Sequence, residues 1–306
     1  MRKTSLACVL ELARQDSRVC FVGSDLGFGV MDDFAAEFPN RIFREGISEQ
    51  HVIGLAAGLA LEGKVVYINT IASFLTRRCL EQTTLDLCLN KAKVRLIGSG
   101  GGLAYAPLGP THLAADDLAL MRPLPNMHII APCDAEEMRR LMLQTLDIDG
   151  PLYIRMAKGG DPVVSSPLRP SLLGRAVPML EAEGRLDTLF ISCGITTQLA
   201  LEAAKILKNQ KVEVLHCHTV KPLDTEKILE LAGRASRVFS VEEHVLTGGL
   251  GSAVAELLAE AELPNRPDFK RLALPDAFFG EHGSQNDIMA AHGLSSENLA
   301  RRAGGL

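Results

Sequence analysis

One acidic residue stands at the start of a predicted helix built from small side chains. Residues 44–51 contain Glu49 and run directly into 52–61, where glycine and alanine recur. Small side chains let another backbone approach closely, so Glu49 is expected in a tightly packed, poorly solvated place. A carboxylic acid in such a place can hold or deliver a proton. The simpler alternative is that Ser48 caps the helix and that Glu49 only favours its positive end.

Short apolar runs separated by helical segments fill the first half of the chain. The predicted strands are 19–24, 64–69, 94–99, 128–131 and 152–155. Strands that alternate with helices in this way predict a mainly parallel sheet covered on both faces. Ligands bind beyond the carboxyl ends of such strands. Asp25, Thr70, the loop 99–112 and Arg155 all lie at those ends, which predicts a site in this half.

The alternation restarts after a segment rich in proline, glycine and serine. Predicted strands at 188–193, 212–217 and 237–241 alternate with helices at 196–208 and 252–262. The sequence therefore predicts two three-layer α/β domains, each with a mainly parallel sheet between helices. We place the first domain at 1–158, the linker at 159–174 and the second domain at 175–306.

Composition excludes several classes of protein. The 306 residues are 47% hydrophobic and 23% charged, contain no tryptophan, and carry a net charge of −5. Nothing in this balance favours nucleic acid or an anionic membrane as a partner, and no apolar run is long enough for a membrane span. The seven cysteines are scattered through apolar runs, which indicates reduced thiols and a cytoplasmic protein.

The order and spacing of several motifs resemble the thiamine diphosphate enzymes of the transketolase group. They are Ser-Glu-Gln-His at 48–51, the segment 69–78 after the second strand, and Gly-Pro-Thr-His at 109–112. The resemblance implies that Glu49 hydrogen-bonds N1′ of the cofactor's aminopyrimidine and that Phe74 packs on that ring. It implies that His112 lies near the reacting carbonyl and takes part in both substrate binding and proton transfer. It also puts Asp25, Thr70 and Ile71 on the cofactor side.

Substrate-side positions follow the same resemblance, with departures. Arg155 matches an arginine that faces an acceptor phosphate, although a salt bridge across the linker is nearly as good a reading. Leu108 stands where an aspartate contacts a substrate hydroxyl, and Gly100 stands where a histidine is usual. Ile71 replaces an aromatic residue. Since leucine cannot accept a hydrogen bond, we expect a substrate pocket that differs from that of ordinary transketolases.

One part of the family pattern is missing. The sequence has no Gly-Asp-Gly, the element that with a later asparagine holds Mg²⁺ and the diphosphate in this group. The resemblance thus implies the C-terminal subunit of a split enzyme, completed by an N-terminal subunit that brings Mg²⁺ and the diphosphate contacts. An α2β2 assembly would follow by symmetry. Met1 and the predicted first helix favour a natural start over a fragment.

Three functions remain open from the sequence. The leading one is transfer of a two-carbon ketol unit between small-molecule substrates, from a ketose donor to an aldehyde acceptor. The second is a decarboxylating carboligase or the β subunit of a 2-oxoacid dehydrogenase, both of which use pyruvate-type donors. The third is a non-catalytic scaffold that keeps the fold. Residues 216–218, His-Cys-His, do not predict a metal site, because successive strand side chains face opposite sides.

Overall fold

The computed structural model describes residues 1–23, 29–157 and 159–305. Six strands belong to the first half: β1 (Val19–Gly23), β2 (Ile42–Arg44), β3 (Val65–Ile71), β4 (Val94–Ser99), β5 (His128–Ile130) and β6 (Leu152–Met156). Six more belong to the second half: β7 (Val177–Leu180), β8 (Leu186–Ser192), β9 (Val212–His216), β10 (Thr219–Lys221), β11 (Ala235–Val245) and β12 (Asp268–Leu274). Valine, isoleucine and leucine dominate the central strands, as expected for strands buried on both faces.

Helices separate most of the strands. Those of the first half are α1 (Arg2–Gln15), α2 (Asp32–Glu37), α3 (Glu49–Leu61), α4 (Leu80–Gln82), α5 (Asp117–Met121) and α6 (Ala135–Met142). Those of the second half are α7 (Thr196–Ile206), α8 (Thr225–Gly233), α9 (Leu250–Glu260), α10 (Gln285–Ala291) and α11 (Ser296–Gly304). Two π-helical turns, Phe74–Arg78 and Thr83–Cys88, flank α4. No helix of the described residues is long and apolar enough to cross a membrane.

The strands form two sheets. The first has the order β10-β5-β6-β4-β3-β1-β2, and the second has the order β12-β11-β8-β9-β7. All neighbours are parallel except the edge pairs β10 with β5 and β7 with β9. The carboxyl ends of β3, β4 and β6 therefore meet at one edge of the first sheet, where ligands bind in folds of this kind.

Both faces of the first sheet are covered. Along β3, Val65 and Tyr67 belong to a buried cluster that includes residues of α1 and α6. The intervening Val66 and Ile68 belong to a second cluster that includes residues of α3. Alternate side chains of one strand point to opposite faces, so helices pack on each side of the sheet. Both clusters continue into the second half of the chain.

The predicted fold class is confirmed, since both sheets are mainly parallel and covered by helices. Sequence reasoning missed β2, β7, β10 and β12, which are short or lie at sheet edges, where exposed residues hide the apolar pattern. Strand β10 lies in the second half but pairs with β5 of the first sheet. The domain limits stay a prediction, and the structure adds that the two halves share this sheet.

All seven cysteines are buried free thiols, as the scattered spacing predicted. Burial raises the pKa of Cys88 to about 11 and, with the nearby Glu49 charge as a second cause, that of Cys79 to about 12. Thiols of this kind are packing residues rather than nucleophiles.

Candidate active site

Glu49 is the first residue of α3, and its side chain is only 2% exposed. Val52, Ile53 and Ala56 bury the inner face of the same helix, which holds the carboxylate at the amino end of a fixed element. The hydroxyl of Ser48 does not cap the helix. It donates instead to the carbonyl oxygen of Glu45 at 2.8 Å. The side-chain cap that the sequence left as an alternative is therefore not formed.

Arg78 is the partner of Glu49, and the sequence analysis missed it. Arg78 Nη1 donates to Glu49 Oε2 at 2.6 Å, while the arginine side chain remains 44% exposed. The same guanidinium lies over the ring of Phe74, with its central carbon 4.4 Å from the ring centroid. Phe74 and Arg78 begin and end one π-helical turn. The four-residue spacing of Phe74 and Arg78 is the sequence signal that could have revealed the contact of the guanidinium with the ring.

His112 completes this group from the loop after β4. Its ring meets the ring of Phe74 edge to face, with centroids 5.2 Å apart and an interplanar angle of 61°. Thr111, the preceding residue, contacts both the turn that carries Phe74 and the His112 ring. Its carbonyl oxygen accepts from Ser73 Oγ at 3.5 Å, and its hydroxyl lies 2.9 Å from His112 Nδ1. We call Glu49, Phe74, Arg78 and His112 the Glu49 cluster.

The other predicted cofactor-side residues border this cluster or lie outside the described residues. Thr70 and Ile71 end β3, just before the turn that carries Phe74. Thr70 is buried and Ile71 is half-buried. Asp25 falls in the segment 24–28, outside the described residues. The cofactor contacts of these three residues stay predictions.

The space above Gly100 is filled by an aromatic ring. Gly100 has a φ of +79°, a left-handed conformation that favours glycine. A Cβ built at this position would overlap the ring of Tyr105, so a histidine could enter only if Tyr105 moved. Leu108, in the same loop, is 55% exposed. The ring of Tyr105 thus takes up the space beside Gly100, where the family pattern has a histidine, and no sequence signal pointed to this tyrosine. At position 108, where the family pattern has an aspartate, the structure has an exposed leucine.

Arg155 is buried and paired inside the protein. The resemblance puts it near an acceptor phosphate, and in this structure it is only 5% exposed. Its Nε donates to both oxygens of Asp117, at 2.8 and 3.0 Å, and its Nη2 donates to the carbonyl oxygen of Glu243 at 2.8 Å. The cavity beside it has a volume of about 10 Å³, room for about one water molecule. The salt bridge is formed with Asp117 inside the first half, whereas the alternative from the sequence had it across the linker. The phosphate contact of Arg155 stays a prediction.

Asp117 joins Arg155 to a larger polar network between the two halves. Tyr153 Oη donates to Asp117 Oδ2 at 2.8 Å, and Asp117 is fully buried. The charges of Asp117 and Glu243 raise the pKa of Arg155 although burial opposes the change, so the guanidinium stays charged. The network fixes α5 and β6 against β11 below the loop that carries His112.

Glu243 anchors that loop from the other side. Its Oε1 accepts from the backbone N–H of Leu103 at 2.7 Å and from Gln285 Nε2 at 2.8 Å. A Cβ at Gly102 would collide with the Glu243 carboxylate, so glycine is needed for this approach. Burial raises the pKa of Glu243 to about 7, even though the charge of Arg155 opposes the shift.

We expect Glu243→Gln to remove a pH dependence of stability. Because the pKa rises from 4.5 to about 7 on folding, the folded chain binds more protons than the unfolded chain between these values. The free energy of unfolding therefore falls as pH rises through that window. Thermal unfolding from about pH 5 to about pH 8 should show this fall in the native chain and a flatter profile, with a higher midpoint at the alkaline end, in the variant. A variant that keeps the native slope would contradict the assignment.

A second buried cluster links the halves through Glu137. Cys133, Glu137 and His216 place ligand atoms within 4.8 Å of one another. Glu137 Oε2 accepts from the N–H of Cys133 at 2.8 Å and lies 2.7 Å from His216 Nε2, and Oε1 accepts from Ser171 Oγ at 2.9 Å. Separations of this kind are those of hydrogen bonds. We read the cluster as a structural network.

Comparison with known proteins agrees with this architecture. The family described as "Transketolase, pyrimidine binding domain" matches residues 1–160. The chain belongs to the transketolase family. The family described as "Transketolase, C-terminal domain" matches residues 180–299 of this transketolase-family chain.

Individual relatives cover nearly the whole chain. An apulose-4-phosphate transketolase subunit of Phocaeicola vulgatus is 36% identical, over 99% of this chain and 96% of its own. The 6-deoxy-6-sulfo-D-fructose transketolase subunit SqwH of Clostridium sp. is 33% identical, over 99% and 93%. A solved structure described as "Split gene transketolase, inactive beta4 tetramer" superimposes with a TM-score of 0.89 at 34% identity, over 99% and 97% of the two chains.

Proposed function

We propose that this chain is the C-terminal subunit of a split transketolase that transfers a two-carbon ketol unit from a ketose donor to an aldehyde acceptor. One observation carries the proposal. A buried carboxylate, a flat aromatic wall and an imidazole lie together at the carboxyl edge of a parallel sheet, in the Glu49 cluster. Family membership and the whole-length similarity to two transketolase subunits support the same reading.

The residues present fit thiamine diphosphate, the cofactor that the family implies. The Arg78 guanidinium is a flat, nitrogen-rich group that lies over the Phe74 ring and donates an N–H to Glu49. An aminopyrimidine ring is also flat and nitrogen-rich, and with N1′ protonated it can donate to a carboxylate. The contacts of the arginine support the view that the spacing of the aromatic wall and the carboxylate suits such a ring.

Three residues of the cluster, Glu49, Phe74 and His112, then have roles toward the bound cofactor and its substrate. Thiamine diphosphate, when bound, supplies the nucleophilic carbon and the electron sink that ketol transfer needs. Glu49 holds the ring nitrogen N1′ and exchanges a proton with it. Phe74 orients the ring by packing against one face. His112, whose ring is braced by Phe74, moves protons at the reacting carbonyl group.

We propose that a separate N-terminal subunit completes the enzyme. The sequence lacks Gly-Asp-Gly, so Mg²⁺ and the diphosphate would be held by that partner. The relatives are named as subunits, and the similar solved structure is described as an inactive β4 tetramer. An inactive assembly of one chain alone is what a missing partner predicts. An α2β2 complex is the arrangement we expect.

The residues at two of the predicted substrate positions, Gly100 and Leu108, support an unusual ketose donor. Tyr105 fills the space above Gly100, and Leu108 presents an apolar surface where the family has an aspartate. Two relatives are named for apulose 4-phosphate and for 6-deoxy-6-sulfo-D-fructose. We propose a donor from this range of branched or deoxygenated ketoses, in place of the linear pentose phosphates of ordinary transketolases.

The test is reconstitution with the partner. The chain is purified from its native host, and a co-purifying subunit that carries Gly-Asp-Gly is expressed with it. The complex is assayed with apulose 4-phosphate, 6-deoxy-6-sulfo-D-fructose, xylulose 5-phosphate and pyruvate as donors, with an aldose phosphate acceptor. Ketol transfer without carbon dioxide supports the proposal. Carbon dioxide from pyruvate would establish the decarboxylating alternative, and a complex that binds no thiamine diphosphate would favour the scaffold.

A further inference from the structure

Arg78 contacts both groups that the proposed aminopyrimidine ring would contact. Its Nη1 lies 2.6 Å from Glu49 Oε2, and its guanidinium covers one face of Phe74 at 4.4 Å. The arginine thereby engages the carboxylate and the aromatic wall at once. A ring that stacks on that face of Phe74 and donates to the same carboxylate would overlap the guanidinium. Such a ring and the guanidinium would compete for one face of Phe74 and for Glu49 Oε2.

We propose that Arg78 closes the aminopyrimidine site in the free chain and that its side chain must leave Glu49 before the cofactor can bind. This inference rests on the proposed function, because it takes thiamine diphosphate as the incoming group. It adds that the site is closed by the chain's own residue. Cofactor binding is then an exchange of one cationic, planar partner of Glu49 for another.

The side chain of Arg78 is free to make this movement. It is 44% exposed, whereas that of Glu49 is 2% exposed and fixed at the start of α3. The backbone is held separately, since the carbonyl oxygen of Arg78 accepts from Gln50 Nε2 at 3.2 Å. Rotation of the long side chain into solvent would therefore open the site without moving the turn that carries Phe74.

The Arg78–Glu49 pair stabilises the buried carboxylate in the free chain. A buried carboxylate without a counter-charge is costly, because burial removes the water that stabilises the charge. Arg78 supplies that counter-charge until another donor arrives. Breaking the Arg78–Glu49 pair consequently makes the free energy of cofactor binding less favourable. Removal of the guanidinium should therefore strengthen cofactor binding.

The experiment measures binding rather than turnover. Dissociation constants of thiamine diphosphate, with Mg²⁺ present, are measured by calorimetry on the reconstituted complex. The variants are Arg78→Gln, Arg78→Lys and the matched control Arg77→Gln. We expect Arg78→Gln to bind about two- to fivefold more tightly, the range of a partly exposed ion pair. Arg78→Lys should fall between, because lysine keeps the charge but not the flat stacking group.

The control variant Arg77→Gln should not strengthen cofactor binding. Arg77 makes a two-pronged ion pair with Asp116, at 2.8 and 2.7 Å, and does not contact Glu49. Its loss removes a positive charge near an anionic cofactor, so binding should be unchanged or weaker. Unchanged or weaker binding by Arg78→Gln, with native thermal unfolding, would overturn the inference.

Failure of the proposed function would look different. If Glu49→Gln weakens binding but Arg78→Gln does not strengthen it, the cofactor site stands and only the closing role of Arg78 is lost. If the native complex binds no thiamine diphosphate, or if Glu49→Gln binds as well as the native complex, the proposed function fails and the inference fails with it.

Discussion

Replacing Glu49 by glutamine in the reconstituted complex should lower kcat by about 10²- to 10⁴-fold, the usual contribution of a positioned proton-transfer group. Glutamine keeps the size of the side chain but cannot exchange a proton with a ring nitrogen. Steady-state rates at saturating cofactor measure the effect, so that weaker binding does not contribute to it.

Glu45→Gln is the matched control. This carboxylate lies four residues before Glu49 and pairs with the exposed His51 at 3.1 Å. Its replacement should leave kcat within about twofold, since exposed pairs contribute little. Equal rates for Glu49→Gln and the native complex would remove Glu49 from the catalytic machinery and with it the proposed role of the Glu49 cluster.

Replacing Asp117 by asparagine should lower the free energy of unfolding of the free chain by about 3–5 kcal/mol. The change leaves the guanidinium of Arg155 buried without its counter-charge, and it weakens the acceptor of the Tyr153 hydroxyl. Urea denaturation followed by two optical probes measures the loss and tests whether the two halves unfold together.

Asp116→Asn provides the comparison at the neighbouring position. Asp116 pairs with Arg77 through side chains that are 34% and 38% exposed, so its replacement should cost less than about 1 kcal/mol. A similar small loss for both variants would mean that the Asp117–Arg155 pair does not stabilise the contact between the halves.

The pattern of apolar and helical segments in the sequence was enough to predict the architecture. Apolar runs such as 94–99 and 188–193, separated by helical segments, require parallel strands covered by helices, and both sheets have this form. The same pattern put Thr70 and the loop 99–112 at one edge of the first sheet. Phe74 and His112 meet there, although their roles in catalysis stay predictions. Edge strands such as β12 escaped because solvent-facing charges interrupt their apolar pattern.

Charge partners were decided by the tertiary structure. Arg78 and Glu49 are 29 residues apart in sequence, and Arg155 and Asp117 are 38 apart. An arginine in a sequence looks the same whether it faces a phosphate in solvent or a buried aspartate. Periodicity records which face of an element is apolar, so it fixed the layers and the strand ends. It does not record which long side chain reaches across to another element, and those contacts pair Glu49 with Arg78 and Arg155 with Asp117.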